Sequence, residues 1–144
     1  MKNYISIFTL ILSGIIYSQD CSNGPEGDTV CLSIGDINIV DNSLKVFYSS
    51  NNPISGFQFD LNNLEILEGS SDLGYVQFNG EFILGVDFAG GTLPAGDGTL
   101  VEITFEQNTS SVTTCIENAV IADSGGLSYP VDFPDSGQCA SIDI

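Results

Sequence analysis

Carboxylates are the side chains of this sequence that could carry chemistry, because the groups that usually move protons are missing. The 144 residues include 19 Asp and Glu, two Lys and no His or Arg. Without His, neither a Ser-His-Asp triad nor a Cys-His pair can form. A pair of carboxylates can hydrolyse a glycosidic bond, and the acidic candidates are Asp60, Asp87, Glu102 and Asp123. Alternation places most of them on solvent-facing sides of strands, so we predict a protein that is not an enzyme and has no catalytic residues.

Two pairs of acidic residues could instead bind a hard cation. Asp36 with Asp41, and Asp97 with Glu102, would supply the carboxylate oxygens that Ca²⁺ prefers. Plain hydration is the commoner state of such acids, and the EF-hand loop motif is absent. With no His and no CxxC motif, the cysteines do not suit zinc. The sequence therefore predicts no cofactor, with a structural calcium ion as the alternative.

The first 19 residues have the layout of a secretory signal peptide. Lys2 precedes an apolar run over residues 5–16, which is too short to span a bilayer. Lipid attachment at Cys21 is the alternative, although the residues before it lack the small side chains of a bacterial lipobox. We predict cleavage and a protein that is secreted, extracellular or held at the cell surface, with no transmembrane segment.

Four cysteines follow this predicted signal peptide, as in exported proteins that form disulfides. Of the three possible pairings, Cys21 with Cys31 and Cys115 with Cys139 are favoured because each closes a modest loop. The second bond would attach the last strand to the rest of the domain. The predicted organisation is a signal peptide over residues 1–19, a disulfide-stapled segment over 20–31 and one domain over 32–144.

The formal net charge of −17 argues against partners that are themselves strongly negative. Once the signal peptide is removed, only Lys45 and the new amino terminus are positive. Such a surface repels phosphate backbones and anionic lipids, so we predict that neither nucleic acid nor a membrane surface is bound. A hydrophobic content of 42% and a periodic pattern argue against disorder.

From Cys31 onward the sequence alternates with a period of two, which indicates half-buried strands. In the run 82–88, the apolar row expected to face the core is Phe82, Leu84, Val86 and Phe88. Other clear runs are 44–48, 57–61 and 101–105, and further candidates are 32–40, 73–79, 117–123, 127–133 and 138–144. About nine strands of this kind predict an all-β sandwich.

Turn residues separate the predicted strands. Asn79-Gly80 between two alternating runs is a strong hairpin signal. The composition of residues 68–71 (EGSS) predicts a turn. The segment 107–114 (QNTSSVTT) is predicted to be a polar loop.

Four segments, in this order, resemble cohesin-like domains. Residues 54–61 (ISGFQFDL) resemble an early strand, and 93–105 (LPAGDGTLVEITF) are similar to a turn followed by a strand. Residues 116–131 (IENAVIADSGGLSYPV) resemble the closing hairpin and 137–144 (GQCASIDI) the last strand. The resemblance implies a jelly-roll β-sandwich of about nine strands. Cohesins bind dockerin modules through one sheet face, so it also implies an extracellular protein partner, for which a dockerin-like module is one candidate.

The leading hypothesis is thus a secreted, non-catalytic, cohesin-like module for extracellular protein–protein interaction. One alternative is a carbohydrate-binding module for a polysaccharide, for which Tyr75 and Tyr129 are the candidate binding residues because sugars stack on exposed aromatic rings. Another alternative is a structural subunit that self-assembles through edge strands.

Overall fold

Eleven β-strands and no helix are found in residues 21–143, which are the residues that the computed structural model describes. The predicted signal peptide lies outside them. The strands are β1 (Val30–Asn38), β2 (Ser43–Ser50), β3 (Gly56–Leu61), β4 (Ile66–Ser70), β5 (Tyr75–Asn79), β6 (Phe82–Val86), β7 (Gly96–Phe105), β8 (Val112–Ala122), β9 (Ser128–Tyr129), β10 (Val131–Asp132) and β11 (Cys139–Ile142). Nothing in this part of the chain forms a helix with the length and apolar character needed to cross a membrane.

The strands form two sheets, which confirms the predicted all-β sandwich. The six-stranded sheet has the order β9-β8-β3-β6-β5, and β11 also pairs with β8. The five-stranded sheet has the order β10-β1-β2-β7-β4. All pairs are antiparallel except β10 with β1.

Alternating apolar residues fill the space between the sheets, as predicted for several strands. In β3, Phe57 and Phe59 point inward and are almost completely buried, while Gln58 between them is half-buried. In β2, alternate residues from Leu44 to Ser50 are buried. Burying each large apolar side chain contributes roughly 1.5–3 kcal/mol, so these rows are the main source of stability.

Three sequence predictions about where strands begin and end are wrong. Residues 68–71 were expected to form a turn, but residues 66–70 form the edge strand β4 beside β7. Gly69 allows close packing in this strand, because a Cβ atom at position 69 would lie 2.7 Å from Ile83 Cδ1. The expected loop 107–114 ends early because β8 begins at Val112, where β11 pairs with it. The expected strand 127–133 is divided at Pro130, which cannot donate to a ladder, and its halves join different sheets.

Both cysteine pairs that the sequence favours are bonded in the structure. Cys21 is joined to Cys31, and Cys115 to Cys139. Cys115 and Cys139 are register partners in β8 and β11, with Cα atoms 4.0 Å apart. The second disulfide therefore fastens the final strand to the six-stranded sheet.

Tyr48 is a buried aromatic residue whose hydroxyl group reaches the end of the sandwich. It donates a hydrogen bond of 2.8 Å to the carbonyl oxygen of Pro94. Burial, and then the negative charges of Asp72 and Asp97, raise the pKa of this phenol. The folded protein thus favours the neutral phenol, which contributes stability up to the unfolded pKa of about 10. That contribution is lost as the pH rises through the folded pKa.

A Tyr48→Phe variant should be less stable by about 1 kcal/mol at neutral pH, because it loses the hydrogen bond and keeps the ring. It should also lose less stability than the wild type between pH 9 and 11 (roughly one unit either side of the unfolded pKa). Urea denaturation across this range measures both effects. The exposed Tyr75→Phe variant is the control, and identical pH profiles for wild type and Tyr48→Phe would contradict the prediction.

Candidate functional site

Strand β6 presents its apolar row to the outside, opposite to the sequence prediction. Ile83 is fully buried and Gly85 is buried, whereas Leu84 and Val86 are only half-buried. Phe88, just after the strand, is 79% exposed. The prediction was wrong because both rows of this strand are apolar or small, so alternation alone does not show which row faces the core.

Gly85 explains this orientation. A Cβ atom on Gly85 would lie 2.3 Å from Cε2 and 2.4 Å from Cζ of Phe57. The Phe57 ring therefore packs directly against the Gly85 backbone, where no side chain fits. Phe57 packs in turn beside Phe59, with ring centroids 5.8 Å apart. The row of β6 that contains Gly85 therefore faces the core, and the row with the larger apolar side chains faces outward.

Pairing across β8, β3, β6 and β5 aligns this outer row with neighbouring side chains. One row across the sheet consists of Ala122, Gly56, Val86 and Tyr75, and the next of Val120, Gln58, Leu84 and Gln77. Tyr75 and Val120 are each 41% exposed. These eight residues together with Phe88 line a shallow depression of about 400 Å³, and we call this surface the apolar face.

The centre and one edge of the apolar face have different shapes. Gly56 lies between Ala122 and Val86 and has no side chain, which lowers the surface at that point. At the edge, the rings of Tyr75 and Phe88 are in contact, with centroids 4.8 Å apart and planes inclined by 48°. The face therefore offers a central hollow beside a raised aromatic pair.

Acidic residues flank the apolar face at both ends of its strands. Asp60 and Glu117 lie at one end, and Asp87 and Asp123 lie just beyond the other. The Asp60 carboxylate accepts a hydrogen bond of 2.9 Å from Asn118 Nδ2. Asp87 and Asp123 accept bonds of 2.8 Å from the backbone N–H groups of Ala89 and Gly125. Local turns hold the Asp87 and Asp123 carboxylates in place, and the neighbouring strand β8 holds that of Asp60. No lysine or arginine of residues 21–143 lies on this face.

No protein-family model matches the sequence, and no curated protein matches it significantly. Solved structures do. A chain of the CaDoc0917–CaCohA2 complex has a TM-score of 0.53 at 15% identity, over 80% of this chain and 99% of that one. The chain has a cohesin-like fold.

Two further structures share this similarity. A non-cellulosomal cohesin from the archaeon Archaeoglobus fulgidus has a TM-score of 0.49 at 18% identity, over 81% of this chain and 84% of that one. A chain of the Coh-OlpC–Doc435 complex, a type I cohesin–dockerin complex from Clostridium thermocellum, has a TM-score of 0.49 at 12% identity, over 80% of this chain and 92% of that one. At these identities the likeness concerns the fold.

The cohesin-like sandwich separates the acidic residues that were considered for catalysis. Asp60 belongs to β3 of the six-stranded sheet and Glu102 to β7 of the five-stranded sheet. Asp87 and Asp123 follow β6 and β8 and make the turn contacts described above. Asp60, Asp87 and Asp123 thus flank the apolar face, and Glu102 lies on the other sheet.

The four predicted calcium ligands, Asp36, Asp41, Asp97 and Glu102, lie on strands β1 and β7 and the β1–β2 turn. Lys45 Nζ is 3.7 Å from Asp36, Asn38 donates a hydrogen bond to Asp41, and the Ser49 hydroxyl donates one to Asp97. In the described part of the chain, no three Asp, Glu or Cys side chains converge on a possible metal site. Calcium binding stays a prediction from the sequence.

The structure does not bring Tyr75 and Tyr129 together. They lie on β5 and β9, the two end strands of the order β9-β8-β3-β6-β5, which puts them about 19 Å apart at the usual strand spacing. The Tyr129 side chain packs against the core, and its hydroxyl donates a hydrogen bond to Pro53 O. Tyr75 belongs to the apolar face, with Phe88 as its aromatic neighbour; the contact between them was not foreseen from the sequence.

Proposed function

We propose that the protein is a secreted, non-catalytic binding module that recognises another protein through the apolar face. The supporting observation is the outward apolar row of β6, with Tyr75, Phe88 and Val120 exposed around it. A contiguous apolar patch on one face of a sheet is characteristic of an interaction surface. A polar outer row would cost the sandwich nothing in core packing, so the apolar side chains at these positions favour a binding role.

A dockerin-like module is the proposed partner class. Two of the similar structures are named as complexes that pair "Coh" with "Doc" chains, one of them described as cohesin–dockerin. A shared fold does not by itself carry a shared partner. The proposal therefore also relies on the apolar face, which provides the four-stranded surface that a folded protein module could cover.

The acidic residues around the face restrict the chemistry of this partner. Asp60, Glu117, Asp87 and Asp123 would lie opposite the margin of any protein that covers it. Like charges opposed across an interface disfavour association, whereas opposite charges raise the association rate. The partner surface should accordingly be apolar at its centre and carry Lys or Arg at its margin. Its affinity should fall as salt is added.

The Tyr75–Phe88 pair is the feature that favours the carbohydrate-binding alternative. Two exposed aromatic rings could stack on sugars, but planes inclined by 48° do not make one flat platform. An oligosaccharide array probed with the wild type and with Tyr75→Ala tests this second candidate. Saturable binding by the wild type that disappears in the variant would support the carbohydrate-binding hypothesis.

A Val120→Asp substitution should strongly weaken binding to dockerin-like partners. It places a charge on the apolar face at Val120, which pairs with Gln58 of β3, and desolvating that charge should weaken binding about 100-fold. Titration calorimetry against a panel of purified dockerin modules measures the effect. Val40→Asp is the matched control, because Val40 is 87% exposed at the tip of the β1–β2 hairpin on the other sheet.

We expect at least one dockerin to bind the wild type and Val40→Asp with equal affinity and to bind Val120→Asp much more weakly. If no dockerin of the panel binds the wild type, the dockerin assignment fails. Equal affinities for Val120→Asp and Val40→Asp would show that binding takes place elsewhere on the molecule.

A further inference from the structure

Strand β5 is an open sheet edge with an unusual composition. It ends the six-stranded sheet and pairs with β6 alone among the described strands. Its five residues (YVQFN) include no charge and no proline, and Tyr, Val and Phe are favourable strand residues. In an antiparallel edge strand, alternate residues direct their N–H and C=O groups away from the sheet. β5 therefore presents unpaired backbone groups between uncharged side chains.

The other edges of the sandwich have the features that usually prevent strand pairing. β4 includes Glu68 and has an irregular register with β7. β9 and β10 have only two residues each, and Pro130 separates them. β11 has four residues and is followed by Asp143. Short strands, charges, irregularities and proline all discourage edge-to-edge contact, and β5 has none of these.

We propose that β5 is a homotypic pairing site, at which the β5 strands of two copies associate antiparallel about Gln77. In this register Gln77 faces Gln77 of the second copy, Val76 faces Phe78, and Tyr75 faces Asn79. No two charges are opposed within the strands, and the pairing of Phe78 with a β-branched residue is a favourable cross-strand contact. The sequence of the strand is thus complementary to itself.

This association would join the two six-stranded sheets into one continuous sheet. Tyr75 and Gln77 belong to both β5 and the apolar face, so the two apolar faces would lie side by side on the same surface. The pairing site is the strand edge, so the face itself would remain available to a partner. The proposal therefore extends the proposed function without depending on it.

Charge opposes the association and determines how salt should affect it. Each copy of the mature chain would keep all 19 acidic side chains and, among basic ones, only Lys45. Glu68 and Glu102 line a depression next to Phe78, close to the edge that would pair. Salt screens such repulsion, so pairing should strengthen as salt is added. This dependence is opposite in sign to that expected for a basic partner on the apolar face.

The interface would be small, because each copy contributes five residues. Interfaces below about 1,200 Å² of total buried area are typical of transient complexes. We therefore expect a dissociation constant on the order of 0.1 mM, which corresponds to a transient dimer. Such a dimer would form where many copies are concentrated at one place.

Sedimentation-velocity experiments on the full mature chain test the proposal. The wild type should shift from monomer towards dimer between about 10 μM and about 1 mM, and more completely in 0.5 M than in about 0.05 M NaCl. In a dimer of either the Gln77→Glu or the Gln77→Lys variant, two like charges would face each other at the point where residue 77 meets its copy. Each variant alone should therefore stay monomeric. An equimolar mixture of the two should associate again, because Glu then faces Lys.

Gln58→Glu and Gln58→Lys are the matched controls. Gln58 lies on the same face but in the interior strand β3, so both variants should associate like the wild type. If the Gln58 variants are monomeric as well, the copies associate through their faces and the edge proposal is wrong. It is also overturned if the wild type is monomeric at every concentration and salt level, or if the Glu and Lys variants do not restore association when mixed.

Discussion

A Gly85→Ala variant is expected to be less stable than the wild type by about 2 kcal/mol. The added methyl group would meet the Phe57 ring at 2.3 Å, and Phe57 cannot withdraw because it is buried against Phe59. The ring or the backbone of β6 must shift, and the outer row of β6 shifts with it. Urea denaturation measures the loss of stability, and the same variant should bind a partner of the apolar face less tightly.

A double-mutant cycle separates this clash from other effects of losing a glycine. Phe57→Leu removes the part of the ring that the methyl group would touch, so Gly85→Ala should cost much less in that background than in the wild type. Gly125→Ala is the control, because its Cβ would meet only Asp123 Oδ1, at an ordinary 3.5 Å. If Gly85→Ala costs the same in both backgrounds, Phe57 is not the residue that requires Gly85.

Removing the Cys115–Cys139 disulfide should lower the free energy of unfolding by about 3 kcal/mol. The bond closes a loop over a sequence separation of 24 residues, and the loss follows from the greater freedom of the unfolded chain. The double variant Cys115→Ala/Cys139→Ala avoids free thiols. Hydrogen exchange should also become faster in β11, which brings the buried Ile142 into the core.

The Cys21→Ala/Cys31→Ala variant is the matched control. Its bond spans only 10 residues and ties the segment before β1 to that strand, so its removal should cost less and leave exchange in β11 unchanged. Equal losses for the two double variants, or fast exchange in β11 for both, would contradict the role assigned to the second disulfide.

The sequence by itself predicts the sandwich, because several strands alternate without ambiguity. In β3, Phe57, Phe59 and Leu61 alternate with polar residues, so only one orientation buries apolar area. Turn chemistry predicts the β5–β6 hairpin equally well, since Gly80 adopts the positive φ of 64° that the two-residue turn requires. The resemblance to cohesin-like domains correctly implied the fold.

Tertiary structure alone decided where the candidate site lies. In β6, both possible inner rows are apolar or small, and shifting the strand by one residue would exchange them without changing the alternation. The choice depends on the Phe57 ring of a neighbouring strand, which needs the space above Gly85. For the same reason no local pattern could show that Tyr75 would contact Phe88 while Tyr129 lies at the far side of the sheet. Strand order and the fit between rings and glycines are properties of the packed sandwich, and they place an apolar row on the surface of an otherwise acidic protein.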